Sequence, residues 1–473
     1  MTRTMAPAML IAVLSALIAG TDGLHIQGFP GGSVGPGFVS VPISASKRDA
    51  ALHKRADVSG TAEIQIPNFR THGYSIELMI GTPGQKVEVI VDTGSYELWV
   101  NPDCDHSSRA KNETIDGRPT ATLDTPMTDP DACRKRGQYD ASKSSSASKP
   151  DGVEDTVFQY ADFTTAEISY EKDKLAIGGL SIDGQIFGVA KTSNQTGVGI
   201  MGFGPPPWGF NNSGMYPMVL TSMAREGVIK SPAFSLHLND FNKSQGSVIF
   251  GGVDKKKFSG ALAKIPMKPV QMKSSNGIDF DHTSYYVTVK SMKLSKPGSS
   301  DKTYGSFVAA LDSGSSNNIL PRGLGAQLCT DVGGKMNSRG TNCAVDCAVR
   351  QQAGGVTFEL EGKSILVPYY NLINEETTRE VSWCTVMVSD HPTLNLLGMP
   401  FLRSAYAVFD WRNANLHIAQ SADCGTNIVA IGSGVDAVPG GNGECSGSLG
   451  MASVVNLGLM TVAALMSSLV LVL

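Results

Sequence analysis

From Thr61 the chain alternates. Thr61-Ala-Glu-Ile-Gln-Ile sets an apolar side chain at every second position, and Tyr74-Ser-Ile-Glu-Leu-Met-Ile continues the habit. After the turn Gly81-Thr-Pro-Gly, the run Val87-Glu-Val-Ile-Val-Asp repeats it. A period of two buries one face of an extended strand and wets the other, and two such runs around a Gly/Pro turn make a hairpin. Helical periodicity is sparse. One stretch runs from Pro217 to about Glu226, opened by Pro and closed by Gly227, and another from about Pro321 to Cys329. The pattern predicts a mainly β protein with small helices as decoration.

A second pattern has a long period. Val89-Ile-Val-Asp92-Thr93-Gly94-Ser95, then Leu98-Trp99-Val100, returns as Ala309-Ala-Leu-Asp312-Ser313-Gly314-Ser315, then Ile319-Leu320. The two aspartates are 220 residues apart. Each copy has a later partner of two apolar residues and a Gly, at Ile200-Met201-Gly202 and Leu396-Leu397-Gly398. One Asp-hydroxyl-Gly turn is common on protein surfaces. Two with matching downstream elements predict two related lobes, each presenting a carboxylate from a strand end.

Chemistry gives such a pair a use. Two carboxyls brought together in a poorly solvated cleft cannot both ionise cheaply, so they share a proton over an acidic range. One can draw a proton from water while the other donates to a carbonyl. Gly94 and Gly314 let the backbone turn without a Cβ clash. Thr93 and Ser313 can tie the turns together, and Ser95 and Ser315 can orient the carboxylates.

On these residues the chain resembles the pepsin family of aspartic endopeptidases, and within it the GPI-linked, yapsin-like fungal branch. The resemblance runs from about Ala62 to Cys424. It includes Phe234-Ser-Leu-His-Leu, Gly246-Ser-Val-Ile-Phe-Gly-Gly-Val-Asp, and Leu397-Gly398 through Phe401-Leu-Arg-Ser-Ala-Tyr to Val408-Phe-Asp. It implies a bilobal acid-protease fold, two β-barrel-like lobes with the active-site cleft between them. It implies Asp92 and Asp312 as the catalytic pair around a water, polypeptide substrates, no cofactor, no metal and a monomer. It also implies a flap hairpin carrying Tyr160 in Val157-Phe-Gln-Tyr160, with Ala161 to Thr165 at its tip and Trp99 as the ring partner. The chain departs from the family pattern at Tyr96-Glu97, at Asn317-Asn318, at Gly398-Met399-Pro400 and in the flap tip.

Composition places the product. Net charge is −4 and the pI about 6.1, which gives no nucleic-acid footprint. The basic run Lys255–Lys257 reads as a solvated turn. Arg3 and the apolar stretch from Ala6 to Gly20 form a signal peptide over residues 1–20. Residues 21–55 read as a propeptide closed by Lys47-Arg48 and Lys54-Arg55, with a secretory dibasic processing protease as partner. The N-terminal lobe spans 56–252 and the C-terminal lobe 253–425. A Gly/Ser-rich linker, 426–448, precedes a GPI-attachment signal at 449–473 with Ser446 as the attachment residue. These expectations put the enzyme on the outer face of the plasma membrane or in the cell wall, held by a GPI lipid. Glycan acceptors fall at Asn112, Asn194, Asn211 and Asn242. The insert from Asp105 to Pro150 is polar and reads as a long mobile loop.

Eight cysteines fit an oxidising route, and sequence alone leaves their pairing open. The resemblance implies Cys347–Cys384 and Cys104–Cys133. Cys329–Cys343 then follows as a local bridge, and Cys424 and Cys445 remain. Two rival functions stand beside proteolysis. One is a catalytically silent surface binding protein, opposed by the presence of both aspartates and all four hydroxyls. The other is a two-carboxylate glycosidase, which needs no matched hydroxyl-Gly turns.

Overall fold

The computed structural model describes residues 33–35, 38–45, 73–105, 114–115, 118–119, 130–160, 164–193, 197–206, 216–241, 243, 245–273, 279–377 and 382–446. The signal peptide, both dibasic pairs, Asn112, Asn194, Asn211, Asn242, the flap tip 161–163 and the apolar tail lie outside these residues.

Alternation in sequence becomes alternation in burial. In the first lobe β1 (Phe38–Ala45) is followed by β2 (Tyr74–Ile80), β3 (Gln85–Asp92) and β4 (Leu98–Val100). Ile76, Leu78, Ile80, Val87, Val89 and Val91 all point into the core. Strands β2 and β3 form the expected hairpin, Ile80 opposite Gln85. The hairpin expected as the flap is β5 (Thr156–Gln159) against β6 (Thr165–Ile177), and β7 (Leu180–Ser193) runs back along β6. β8 (Gly199–Gly202) lies parallel to β3 with Gly202 opposite Asp92, and antiparallel to β4. β7 lies parallel to β4 with Gly188 opposite Trp99.

Helix α1 (Val219–Arg225) leads to β9 (Ala233–His237), β10 (Gln245–Phe250) and β11 (Phe258–Pro266). The second lobe then repeats the wiring of the first. β12 (Tyr286–Val289) pairs with β13 (Phe307–Leu311). β14 (Asn318–Pro321) lies parallel to β15 (Val388–His391), and β16 (Leu396–Leu397) lies parallel to β13 and antiparallel to β14. Helix α2 (Leu324–Val332) sits between left-handed Gly323 (φ 82) and Gly333 (φ 101). The Gly333 N–H caps the helix by donating to Thr330 O.

A shared sheet joins the lobes. With β17 (Ala405–Asp410) and β18 (Asn415–Ser421), its order is β11-β18-β17-β9-β10-β1-β2-β3-β8-β4-β7-β6-β5. Buried rings line it. The Phe234 and Phe409 centroids are 4.6 Å apart, and Tyr285 lies 4.4 Å from Phe409. Strand β1 belongs to the stretch read as propeptide. Its backbone pairs with β10 from Gln245↔Ser44 to Phe250↔Val39, and its end meets β2.

Two sequence expectations need correcting. The insert is not mobile from residue 130 onward. Arg136 pairs with Glu88 at 3.0 Å, and buried Tyr139 donates to Asp173 at 2.8 Å. A disulfide ties Cys133 to Cys104. Polar composition misled there because the polar groups pair inward. Nor are residues 426–446 a free linker. Val429 pairs with Val253, Ile431 and Val438 are buried, and Gly443 N–H donates to Gly260 O at 2.9 Å. Cys445 is bridged to Cys424, which leaves exposed Ser446 just outside the packed wall. The other bridges are Cys329–Cys343 and Cys347–Cys384.

Candidate active site

β3 ends at Asp92, and β13 ends one residue before Asp312. Each aspartate begins a turn in which the N–H two residues on bonds to its carboxyl. Gly94 N–H donates to Asp92 Oδ1 and Gly314 N–H to Asp312 Oδ1, both at 2.8 Å.

The two turns interlock. Thr93 N–H donates to Ser313 Oγ at 3.0 Å, and Ser313 N–H donates to Thr93 Oγ1 at 2.9 Å. The same hydroxyls donate onward, Thr93 Oγ1 to Leu311 O at 3.0 Å and Ser313 Oγ to Val91 O at 2.8 Å. Both residues are fully buried, so every one of these bonds is made away from competing water. Breaking one would orphan a buried polar group at a cost of about 1–3 kcal/mol.

This lattice sets the carboxyls face to face. A Cβ on Gly94 would lie 2.6 Å from Asp312 Oδ1, and a Cβ on Gly314 would lie 2.5 Å from Asp92 Oδ1. Each turn lacks a side chain at the place the other turn's acid fills. Asp92 is buried, while Asp312 keeps partial exposure to the cleft. Poor solvation of the Asp312 carboxyl, then the charge and hydrogen bond of Asp92, hold it well above the usual carboxylate range. Two carboxyls within hydrogen-bond reach are too close for a glycosidase pair, which needs roughly 5 Å or more between them.

The downstream glycines have their own reason. A Cβ on Gly202 would fall 2.4 Å from the Tyr96 carbonyl carbon, and one on Gly398 would fall 2.2 Å from Asn317 O. Neither strand could approach its turn with a larger residue. From these strands Phe203 N–H holds Asp92 O at 2.7 Å, and Asp312 N–H reaches Leu397 O at 3.1 Å.

The supporting hydroxyls differ. Ser95 Oγ donates to Asp92 Oδ2 at 2.5 Å. The same role expected of Ser315 is not met, because its Oγ donates to Asn317 O at 2.8 Å. The carbonyl of Asn317 lies closer along the chain and captures it.

Over Asp92 stands the flap strand. Tyr160 N–H donates to Thr164 O at 2.8 Å, and Trp99 Nε1–H donates to Tyr160 OH at 2.6 Å. Tyr96 packs edge-on to Phe158, centroids 6.0 Å apart. One group is, in sequence, only a departure from the family pattern. Glu97 is 2% exposed and accepts from Tyr216 OH at 2.5 Å and from Tyr170 OH at 3.4 Å. Its signal in sequence is an acid set immediately before the buried run Leu98-Trp99-Val100.

The eukaryotic aspartyl protease family model matches residues 73–421. The "Probable aspartic-type endopeptidase opsB" of Aspergillus oryzae is 31% identical over 429 residues, covering 86% of this chain and 81% of that protein. "Aspartic proteinase 3" of Saccharomyces cerevisiae is 30% identical over 441 residues, covering 80% of this chain and 74% of that protein. The fold matches the crystal structure of aspartic proteinase from Irpex lacteus with a TM-score of 0.55 and 16% identity. That match covers 81% of this chain and 98% of the other. With its paired aspartate turns, this chain belongs to the eukaryotic aspartyl protease family, the aspartic-type endopeptidases.

Proposed function

We propose that Asp92 and Asp312 are the catalytic pair of a secreted, surface-held acid endopeptidase. The observation that carries the reading is the reciprocal fit of the two turns, in which each glycine's missing side chain is replaced by the opposite carboxyl. Asp312, held protonated above the usual range, donates its proton to the scissile carbonyl oxygen. Asp92, as the carboxylate, takes a proton from water, whose oxygen attacks the carbonyl carbon. The tetrahedral diol then returns a hydroxyl proton to Asp312. Asp92 passes its proton to the leaving nitrogen as the C–N bond breaks. Atoms and protons balance over the cycle and no covalent enzyme intermediate forms. Tyr160 is the flap residue that closes over the substrate, and Thr93, Gly94, Ser95, Ser313, Gly314 and Ser315 shape the two turns.

The finer reading of the chain's life follows from its ends. Residues 1–20 direct secretion and 21–55 form a propeptide cut after Arg55. β1 supports that reading, since a propeptide strand hydrogen-bonded into the shared sheet would assist folding before it is released. The tail at 449–473 directs GPI attachment at Ser446, a residue that emerges beside the Cys424–Cys445 bridge.

The test is hydrolysis of a denatured protein by the matured enzyme across acidic pH, with and without pepstatin, beside Asp92→Asn. Pepstatin-sensitive cleavage with a bell-shaped profile is expected, and Asp92→Asn should lower it by about 10³-fold or more. Cleavage indifferent to both would end the proposal.

A further inference from the structure

The segment Ser95–Trp99 makes four different contacts in sequence. Ser95 holds Asp92, Tyr96 packs on flap residue Phe158, Glu97 receives two tyrosine hydroxyls, and Trp99 holds Tyr160. The only acid among these side chains is buried at 2% exposure. Tyr170 reaches Glu97 from β6, the return strand of the flap, and Tyr216 reaches it from the segment ahead of α1. The rings of those tyrosines meet edge to face at 5.4 Å. A single carboxyl therefore joins the active-site loop, the flap and the lobe wall.

We propose that Glu97 is a positioning residue whose neutral form holds the flap base in register with Asp92, and whose ionisation releases it. The inference rests on the proteolytic reading above. A neutral carboxyl here bonds two hydroxyls without an uncompensated charge. Once ionised, the same group needs water or a cation. Among the described residues no lysine or arginine pairs with it. The groups facing it are Tyr170 of β6, Tyr216 ahead of α1, Tyr96 beside it on the loop and Tyr160 at the flap, with the Leu98 N–H. None of these is a cation, so an ionised Glu97 has only hydrogen-bond donors and no opposite charge to offset its burial. Burial raises the Glu97 carboxyl from 4.5 to about 7, against the smaller opposing pull of the Tyr216 and Tyr170 hydroxyls and the Leu98 N–H.

The consequence is a second pH limit, separate from the shared proton of Asp92 and Asp312. A folded-state carboxyl raised from 4.5 to about 7 stabilises the fold fully below the lower value. It loses that contribution as pH rises through the upper one. Each pH unit above the upper value lowers the neutral fraction roughly tenfold.

The experiment uses the matured enzyme and its Glu97→Gln variant. Both are held at a series of pH values from about 5 to about 8, then returned to acid for assay, so that titration of the catalytic pair is reversed before activity is read. In parallel, near-UV tyrosine and tryptophan signals are titrated in Asp92→Asn and Asp92→Asn/Glu97→Gln, where the pair is already disabled. We expect the parent's inactivation rate to climb at least about tenfold over that range, with a spectral midpoint near 7. The Gln variant should change less than about twofold and show no midpoint there. Superimposable curves for parent and Gln variant would overturn the assignment. Should the Gln protein fail to accumulate, Glu97→Asp carries the test, because a shorter acid, intrinsically about 0.4 pH unit more acidic, must move the midpoint. An unmoved midpoint overturns it equally. A parent that never cleaves in a pepstatin-sensitive way counts against proteolysis itself. A parent that cleaves but shares the Gln variant's pH behaviour counts against Glu97 alone.

Discussion

The two lobes carry nearly the same turn, Asp92-Thr-Gly-Ser against Asp312-Ser-Gly-Ser, and use it differently. Register puts Ile319 where the first lobe has Trp99, since Leu396 faces Ile319 as Ile200 faces Trp99. The residue two places earlier is Glu97 in one lobe and Asn317 in the other. In the first lobe the loop leans outward onto the flap through Trp99 and Tyr160. In the second it closes on itself. Ser315 Oγ reaches Asn317 O, and buried Asn318 accepts from Gly398 N–H at 3.0 Å. The second lobe thus fixes its acid with neutral, local bonds. The first lobe links its acid's loop to the hairpin that carries Tyr160. Duplication supplies the symmetric pair, and divergence beside each turn divides the labour.

The deepest symmetry is the easiest to break. Gly94→Ala and Gly314→Ala should each cut kcat by about 10³-fold, since the new methyl occupies the space of the opposing carboxyl. Similar losses at both positions support reciprocal fit. If either variant worked within threefold of the parent, the interleaved geometry would be wrong.

The lobes should also part company with pH. The Glu97 shift from 4.5 to about 7 corresponds to roughly 3 kcal/mol of local stability, present in acid and lost by neutrality. Asn317 has no charge to gain. Hydrogen exchange at about pH 7.5 should therefore expose peptides around Tyr170 and Tyr216 well before those around Asn318. Simultaneous exposure of the two lobes would contradict this.

The smallest difference lies in the serines. Ser95→Ala removes a hydroxyl that donates to Asp92 and should lower kcat about tenfold, a loss near 1.4 kcal/mol. Ser315→Ala removes only a loop bond and should stay within about twofold. Equal effects in the two variants would mean that Ser315 turns to its acid during turnover.

Much of this was legible beforehand. Val87, Val89 and Val91 are buried because a strand with period two has no other way to hide them. The helices at Val219–Arg225 and Leu324–Val332 begin two or three residues later than their Pro signals suggested. End positions depend on which carbonyls find outside partners. The order of the insert is hidden from sequence because a string of polar residues looks alike whether its groups face water or pair inward, as Arg136 does with Glu88. The packing of 426–446 is hidden for a related reason, since Gly-rich backbone can pack wherever a strand edge such as Val253 accepts it.

The residue order alone therefore set the two acids, the hydroxyls and glycines of their turns, and the strands that deliver them, because each follows from local spacing and backbone sterics. It did not set which serine reaches its carboxyl, that Glu97 lies beneath the flap between two tyrosines, or that β1 enters the shared sheet. Those outcomes depend on groups distant in the chain arriving at one place. Hydrogen-bond choice and burial are properties of that arrival, and no window of neighbouring residues contains them.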